Sequence, residues 1–225
     1  MNINVNTVKQ LVIKDWQLHR KMIAGYVAAG ILGLALLGYP HLWTFYMGCI
    51  ILLTVMIAAG FHAITATIIA EKKDQTTAFI LSLPVQPAEY VLAKAVANMG
   101  IFFAAWAFIV ISMIFLVMTT HIPNGNLPFF LLICLFLVMS YCIVLSIALI
   151  TESEGWSIFA MVLLNLLLNP VIMLAANNPV YYSHFKTDTI VWHSLFLTSA
   201  TLMLAMALAV ITFALIRQTR RRTFI

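Results

Sequence analysis

Apolar residues fill this chain in six long blocks, at about 22–37, 45–70, 95–119, 128–150, 158–176 and 191–216, and short polar stretches separate them. A helix rises about 1.5 Å per residue, so about 20 apolar residues cross a hydrocarbon core of about 30 Å. The pattern predicts six transmembrane helices, of which the first and fifth are the shortest. Gly38-Tyr39-Pro40-His41, His121-Ile122-Pro123-Asn124-Gly125-Asn126, Thr151-Glu152-Ser153-Glu154-Gly155-Trp156 and a longer loop at 177–190 carry the turn chemistry between blocks. Ahead of the first block, Val5, Val8, Leu11, Val12, Trp16 and Leu18 recur at roughly helical spacing, with Lys9, Lys14, Asp15, Arg20 and Lys21 between them. Residues 1–21 therefore predict an amphipathic helix lying on the membrane surface, with Trp16 at headgroup level.

Composition agrees with this pattern. The chain is 64% hydrophobic and 8% charged, with a mean hydropathy of +1.05, far outside the range of soluble domains. It reads as one all-α integral membrane domain over 1–225. The first apolar block begins after about 21 polar or amphipathic residues and lacks a small-residue cleavage site, so it is expected to remain as a span rather than act as a signal peptide. Cys49, Cys134 and Cys142 all lie inside apolar blocks and read as small buried hydrophobes.

Charge decides orientation. The formal net charge is +5, yet the basic residues gather on no single face or arm that would follow a phosphate backbone, so nucleic acid is not an expected partner. With a cytoplasmic N-terminus, eleven of the twelve lysines and arginines fall on the cytoplasmic side and only Lys186 falls outside. Such an excess is the positive-inside pattern and predicts a cytoplasmic membrane location with both termini in the cytoplasm.

One stretch breaks the apolar pattern. Residues 71–94 hold Glu71, Lys72, Lys73, Asp74, Glu89 and Lys94, six of the nineteen acidic and basic side chains, between two blocks that carry none. A charge at the centre of a bilayer costs roughly 2.5 to 3.5 kcal/mol on insertion scales, so the stretch is expected in water, tethered at both ends. Asp74 is suited to cap a short helix with Phe79, Ile80 and Leu83 on one side, and Pro84 ends it. Gln86 and Pro87 read as N-cap and first position of the third long helix, with Glu89 in its first turn. A short helix with an apolar edge flanked by charges suits the grip of a partner protein.

The chemistry inside the blocks is sparse. No G-x-x-x-x-G-K-[ST] or H-E-x-x-H motif occurs, and no aspartate or glutamate lies within a block. ATP binding, metalloprotease chemistry and carboxylate proton relays are disfavoured, and no metal site or resident cofactor is expected. His62 reads as an interhelical hydrogen-bond partner or a substrate contact. Asn165 and Asn169, four apart beside Pro170, either line a translocation path or satisfy backbone around a proline kink. Glu152 and Glu154 form the one close acidic pair, too little for a lipid-modifying enzyme.

Glu71-Lys72-Lys73-Asp74-Gln75-Thr76, then Phe79-Ile80-Leu81-Ser82-Leu83-Pro84-Val85 and Glu89-Tyr90-Val91-Leu92-Ala93-Lys94, resemble the signature of type-2 ABC transporter permeases. That family carries an acidic and basic cluster, a Gly-Thr, leucines ending in Leu-Pro, and a lysine opening the third span; Gln75 stands where its glycine is usual. The resemblance implies a permease that pairs with a second copy, as homodimer or heterodimer, and works with a separate ABC ATP-binding subunit that carries ATP and Mg. It implies that residues 74–85 form a coupling helix, with Glu71, Lys72, Asp74, Thr76, Phe79, Ile80, Leu83 and Pro84 as its contacts, and that the N-terminal helix also touches the ATPase. It further implies short helices in the 177–190 loop at the outer face. The expected function is ATP-driven export. A membrane anchor or assembly subunit that docks a partner without transporting is the alternative.

Overall fold

The computed structural model describes residues 4–74 and 86–219. Its long elements are α1 (Val5–Leu37), α2 (Leu42–Ile64), α4 (Pro87–Thr119), α5 (Leu127–Thr151), α6 (Glu154–Ala176) and α8 (Ser194–Thr219). A π-helical turn at Thr65–Ile69 continues α2 into α3 (Ala70–Lys73) without a break. The short α7 (Pro179–Tyr182) lies in the loop before α8. Six helices are long and apolar enough to cross a membrane, and no strand occurs among the described residues.

Helix ends follow local chemistry. The Gln86 amide donates to Glu89 Oε2 at 3.0 Å, closing the predicted first turn of α4. This cap starts α4 eight residues before its apolar block. At the far end of α2, Asp74 terminates α3, its amide donating to Ala70 O at 2.8 Å. The expected capping of a following helix by Asp74, and Thr76, Phe79, Ile80, Leu83 and Pro84 themselves, lie outside the described residues.

The N-terminal segment differs from expectation. Residues 5–21 form no separate surface helix; they are the first half of α1, which runs unbroken for 33 residues. At 1.5 Å per residue that is about 50 Å, well beyond a hydrocarbon core. Partners on α4 hold this half upright. Trp16 Nε1 donates to Ala97 O at 3.1 Å, and a Cβ on Gly100 would meet the Trp16 ring at 2.6 Å, so glycine is what lets the indole in. The Asn4 amide donates to Glu89 Oε1 at 2.7 Å, fastening the start of α1 to the start of α4.

Helix α5 is the centre of the bundle. Its most apolar stretch is 61% buried, whereas the other five reach 17 to 44%. It packs most extensively on α8, and α1 packs on α2 and α4. Glycine sets the α1–α2 approach: a Cβ on Gly48 would lie 2.7 Å from the Leu37 backbone nitrogen. Exposed leucine, phenylalanine and methionine cover α6 and α8, including Phe159, Leu166, Leu174, Leu202 and Phe213. A surface this apolar is suited to lipid.

Opposite the lysine-rich end, the loop after α6 folds back onto the turn before α5. The Gly125 amide donates to Thr187 O and Asn126 Nδ2 donates to Phe185 O, both at 2.9 Å.

Candidate functional site

Four ionised side chains meet where α1, α3 and α4 converge. Lys94 Nζ lies 2.8 Å from Asp15 Oδ2 and 2.8 Å from Glu71 Oε1. Lys14 Nζ approaches the same Glu71 oxygen at 2.9 Å and Asp15 Oδ1 at 3.7 Å. The Tyr90 hydroxyl donates to Glu71 Oε2 at 3.0 Å. The side chains of Asp15 and Lys94 are each 3% exposed, so water contributes little to either. Two cations and two anions make the cluster neutral, and that balance is what allows such burial.

Local sequence places each member. Lys14 and Asp15 occupy successive positions of α1. Tyr90, Lys94 and Asn98 recur every fourth residue on one face of α4. Glu71 follows the π-helical turn, whose extra residue re-phases the helix leading to it. Inside that turn Thr67 donates to Ala63 O at 2.7 Å, and Asn98 Nδ2 donates to Thr67 Oγ1 at 2.7 Å and to Lys94 O at 2.8 Å. Asn98 is fully buried, and its Oδ1 has no partner among the described residues.

Weaker pairs extend the cluster outward. Lys72 Nζ is 3.0 Å from Glu152, and Lys73 Nζ is 4.0 Å from Glu154, joining α3 to the turn between α5 and α6. Glu152 closes α5 in the left-handed conformation, with φ 48°, where glycine is the usual residue. Gln218 of α8 is buried and donates through its side chain to Leu149 O near the same corner.

The predicted residues divide among these features. Glu71 is central to the cluster, Lys72 is in the outer pairs, and Asp74 is exposed at the end of α3. His62 lies apart, its Nδ1 paired with the Tyr26 hydroxyl at 3.0 Å across α1 and α2. Asn165 lines a pocket beside Tyr141, while Asn169 is exposed one turn further along α6, so the structure does not gather the three. Asp15, one of the polar positions between the apolar ones of the N-terminal segment, is buried. It sits four residues after Leu11 and three after Val12, on the apolar side of α1, and that spacing was the signal for its burial.

The cysteines are unpaired, and Cys134 and Cys142 are buried in α5. Among the described residues no group of three histidine, cysteine or acidic side chains is placed to hold a metal. Comparison with known protein families, with curated proteins and with solved structures finds no match for this chain.

Proposed function

We propose that this chain is the membrane-spanning subunit of an ATP-driven transporter, an exporter of the type-2 ABC permease kind, in the cytoplasmic membrane with its lysine-rich end inside. ATP and Mg bind a separate ABC ATP-binding subunit, and a second permease copy completes the path. The observation that carries this reading is the clasp at the root of residues 75–85. Glu71 on one side of that segment is bonded to Tyr90 and Lys94 on the other, and both sides are tied to α1 through Asp15, Lys14 and Asn4. A force applied to the segment passes into three long helices at once. A connector with no mechanical role needs no buried ionic joint, whose desolvation is costly.

Reversal of Glu71 would place three cations together and disturb folding as well as coupling, so the clean variant is Phe79→Asp. The test is purification from native membranes followed by vesicle reconstitution with the ATPase that accompanies the chain. The expected result is ATP-dependent solute movement that Phe79→Asp abolishes while membrane insertion stays intact. A chain that purifies alone, or transport unchanged in Phe79→Asp, overturns the reading.

A further inference from the structure

Within the apolar part of the bundle lies a pocket that the ionic joint does not explain. Four helices wall it, through Met56 and Phe61 of α2, Phe102 of α4, Ser140 and Tyr141 of α5, and Asn165 of α6. Most of the lining is hydrocarbon, with three neutral hydrogen-bonding side chains and no ionised one. The hydroxyls of Tyr141 and Ser140 are both buried without a partner among the described residues. Tyr141 as a whole is only 6% exposed. Lipid offers no hydrogen bond to compensate, so two orphan hydroxyls in one pocket call for a polar occupant.

Tyr141 is also locked in place. Its ring stacks on Phe102 with centroids 3.8 Å apart and planes 7° apart. On another side a Cβ at Gly60 would meet the ring at 2.8 Å. Packing on both sides holds the ring, and with it the hydroxyl, in one place. The cavity has a volume of about 40 Å³, which admits a small polar group.

We propose that this pocket binds the head group of a neutral amphiphile, whose hydroxyl or amide pairs with Tyr141, Ser140 and Asn165 between the apolar walls. A carboxylate or ammonium ligand finds no counter-charge there. The proposal rests on the transporter reading only in treating such a molecule as cargo, because binding itself requires no ATPase.

The test uses the purified full chain in lipid nanodiscs and a photoactivatable fatty alcohol, with the matching fatty acid as control. Saturable labelling of α5 and α6 around Tyr141 and Asn165 is expected, competed by unlabelled alcohol and absent with the acid. Tyr141→Phe removes one hydrogen bond and is expected to weaken the alcohol about fivefold. Asn165→Leu serves as a second variant should Tyr141→Phe fail to fold. Non-saturable labelling spread over the outer surfaces of α6 and α8, or equal labelling by the acid, overturns the proposal. Pocket binding without ATP-dependent transport would sink the transporter reading alone, whereas transport without pocket binding would sink this one alone.

Discussion

Two polar sites share one face of α4 and are built on opposite terms. Lys94 anchors one, Phe102 borders the other, and eight residues, or about 12 Å of helix, separate them. At the lysine-rich end each charge of the cluster has an opposite charge within 2.9 Å. In the pocket the buried hydroxyls of Ser140 and Tyr141 have no partner among the described residues. Asn98 lies between the sites and shares both characters, with its amide nitrogen bonded twice and its oxygen unpaired. A completed network holds helices to one another. An incomplete one leaves hydrogen-bonding groups that a ligand can use. The contrast separates the part of the molecule suited to transmitting force from the part suited to holding a ligand.

The strongest way to break the contrast is to orphan the paired site. Lys94→Met keeps most of the side-chain volume but leaves Asp15 buried, with Lys14 at 3.7 Å rather than Lys94 at 2.8 Å. Loss of one partner from a buried ion pair costs about 3–5 kcal/mol. Unfolding in mixed micelles is expected to show a loss of that size. The double variant Lys94→Met/Asp15→Leu is expected to recover much of it, because the charge left behind is gone and Glu71 keeps Lys14 at 2.9 Å. Equal losses in single and double variants would mean that Lys94 acts through packing rather than charge.

This pairing also marks the limit of what the sequence disclosed. Apolar blocks placed helix ends well away from the charges: Leu37, Thr119 and Ala176 end both the predicted blocks and the observed helices. At the charged end the blocks stopped early, because hydropathy falls at the first ionised residue while backbone hydrogen bonding continues to the next cap. Thus α2 continues through its π-helical turn to Lys73, past its block, whereas the start of α4 at Pro87 was legible from the Gln86–Pro87 cap and Glu89 although its apolar block opens only at 95. Asp15 and Lys94 are 79 residues apart, so no local pattern pairs them, although the position of Asp15 on the apolar side of α1 pointed to burial. The pocket was legible only in part. Asn165 was visible as a polar residue in a span, but Tyr141 and Ser140 became notable only once burial left them unpaired.

A smaller effect is expected from closing the pocket. Gly60→Ala brings a methyl to 2.8 Å from the Tyr141 ring and 3.0 Å from the Phe102 ring. The rings must shift together, because they are stacked. Overpacking of this kind costs about 1–3 kcal/mol. Stability is expected to fall within that range and fatty-alcohol labelling near Tyr141 to disappear, while the ionic cluster, two turns away, keeps its geometry. Labelling that survives Gly60→Ala would show that the stack does not form the pocket wall.

The smallest effect sharpens the contrast from the paired side, since having an opposite charge nearby is not enough to make a joint. Lys73 and Glu154 stand 4.0 Å apart with side chains 75% and 56% exposed. Water screens the attraction, and holding two mobile side chains together costs entropy, so such pairs contribute at most about 1 kcal/mol and often nothing measurable. Lys73→Ala is expected to leave the unfolding free energy within about 0.5 kcal/mol of the parent, a tenth or so of the loss expected for Lys94→Met. The two lysines differ little in chemistry and greatly in burial, 75% against 3% exposed. A comparable loss from both would mean that burial is not what gives the Asp15–Lys94–Glu71 joint its strength.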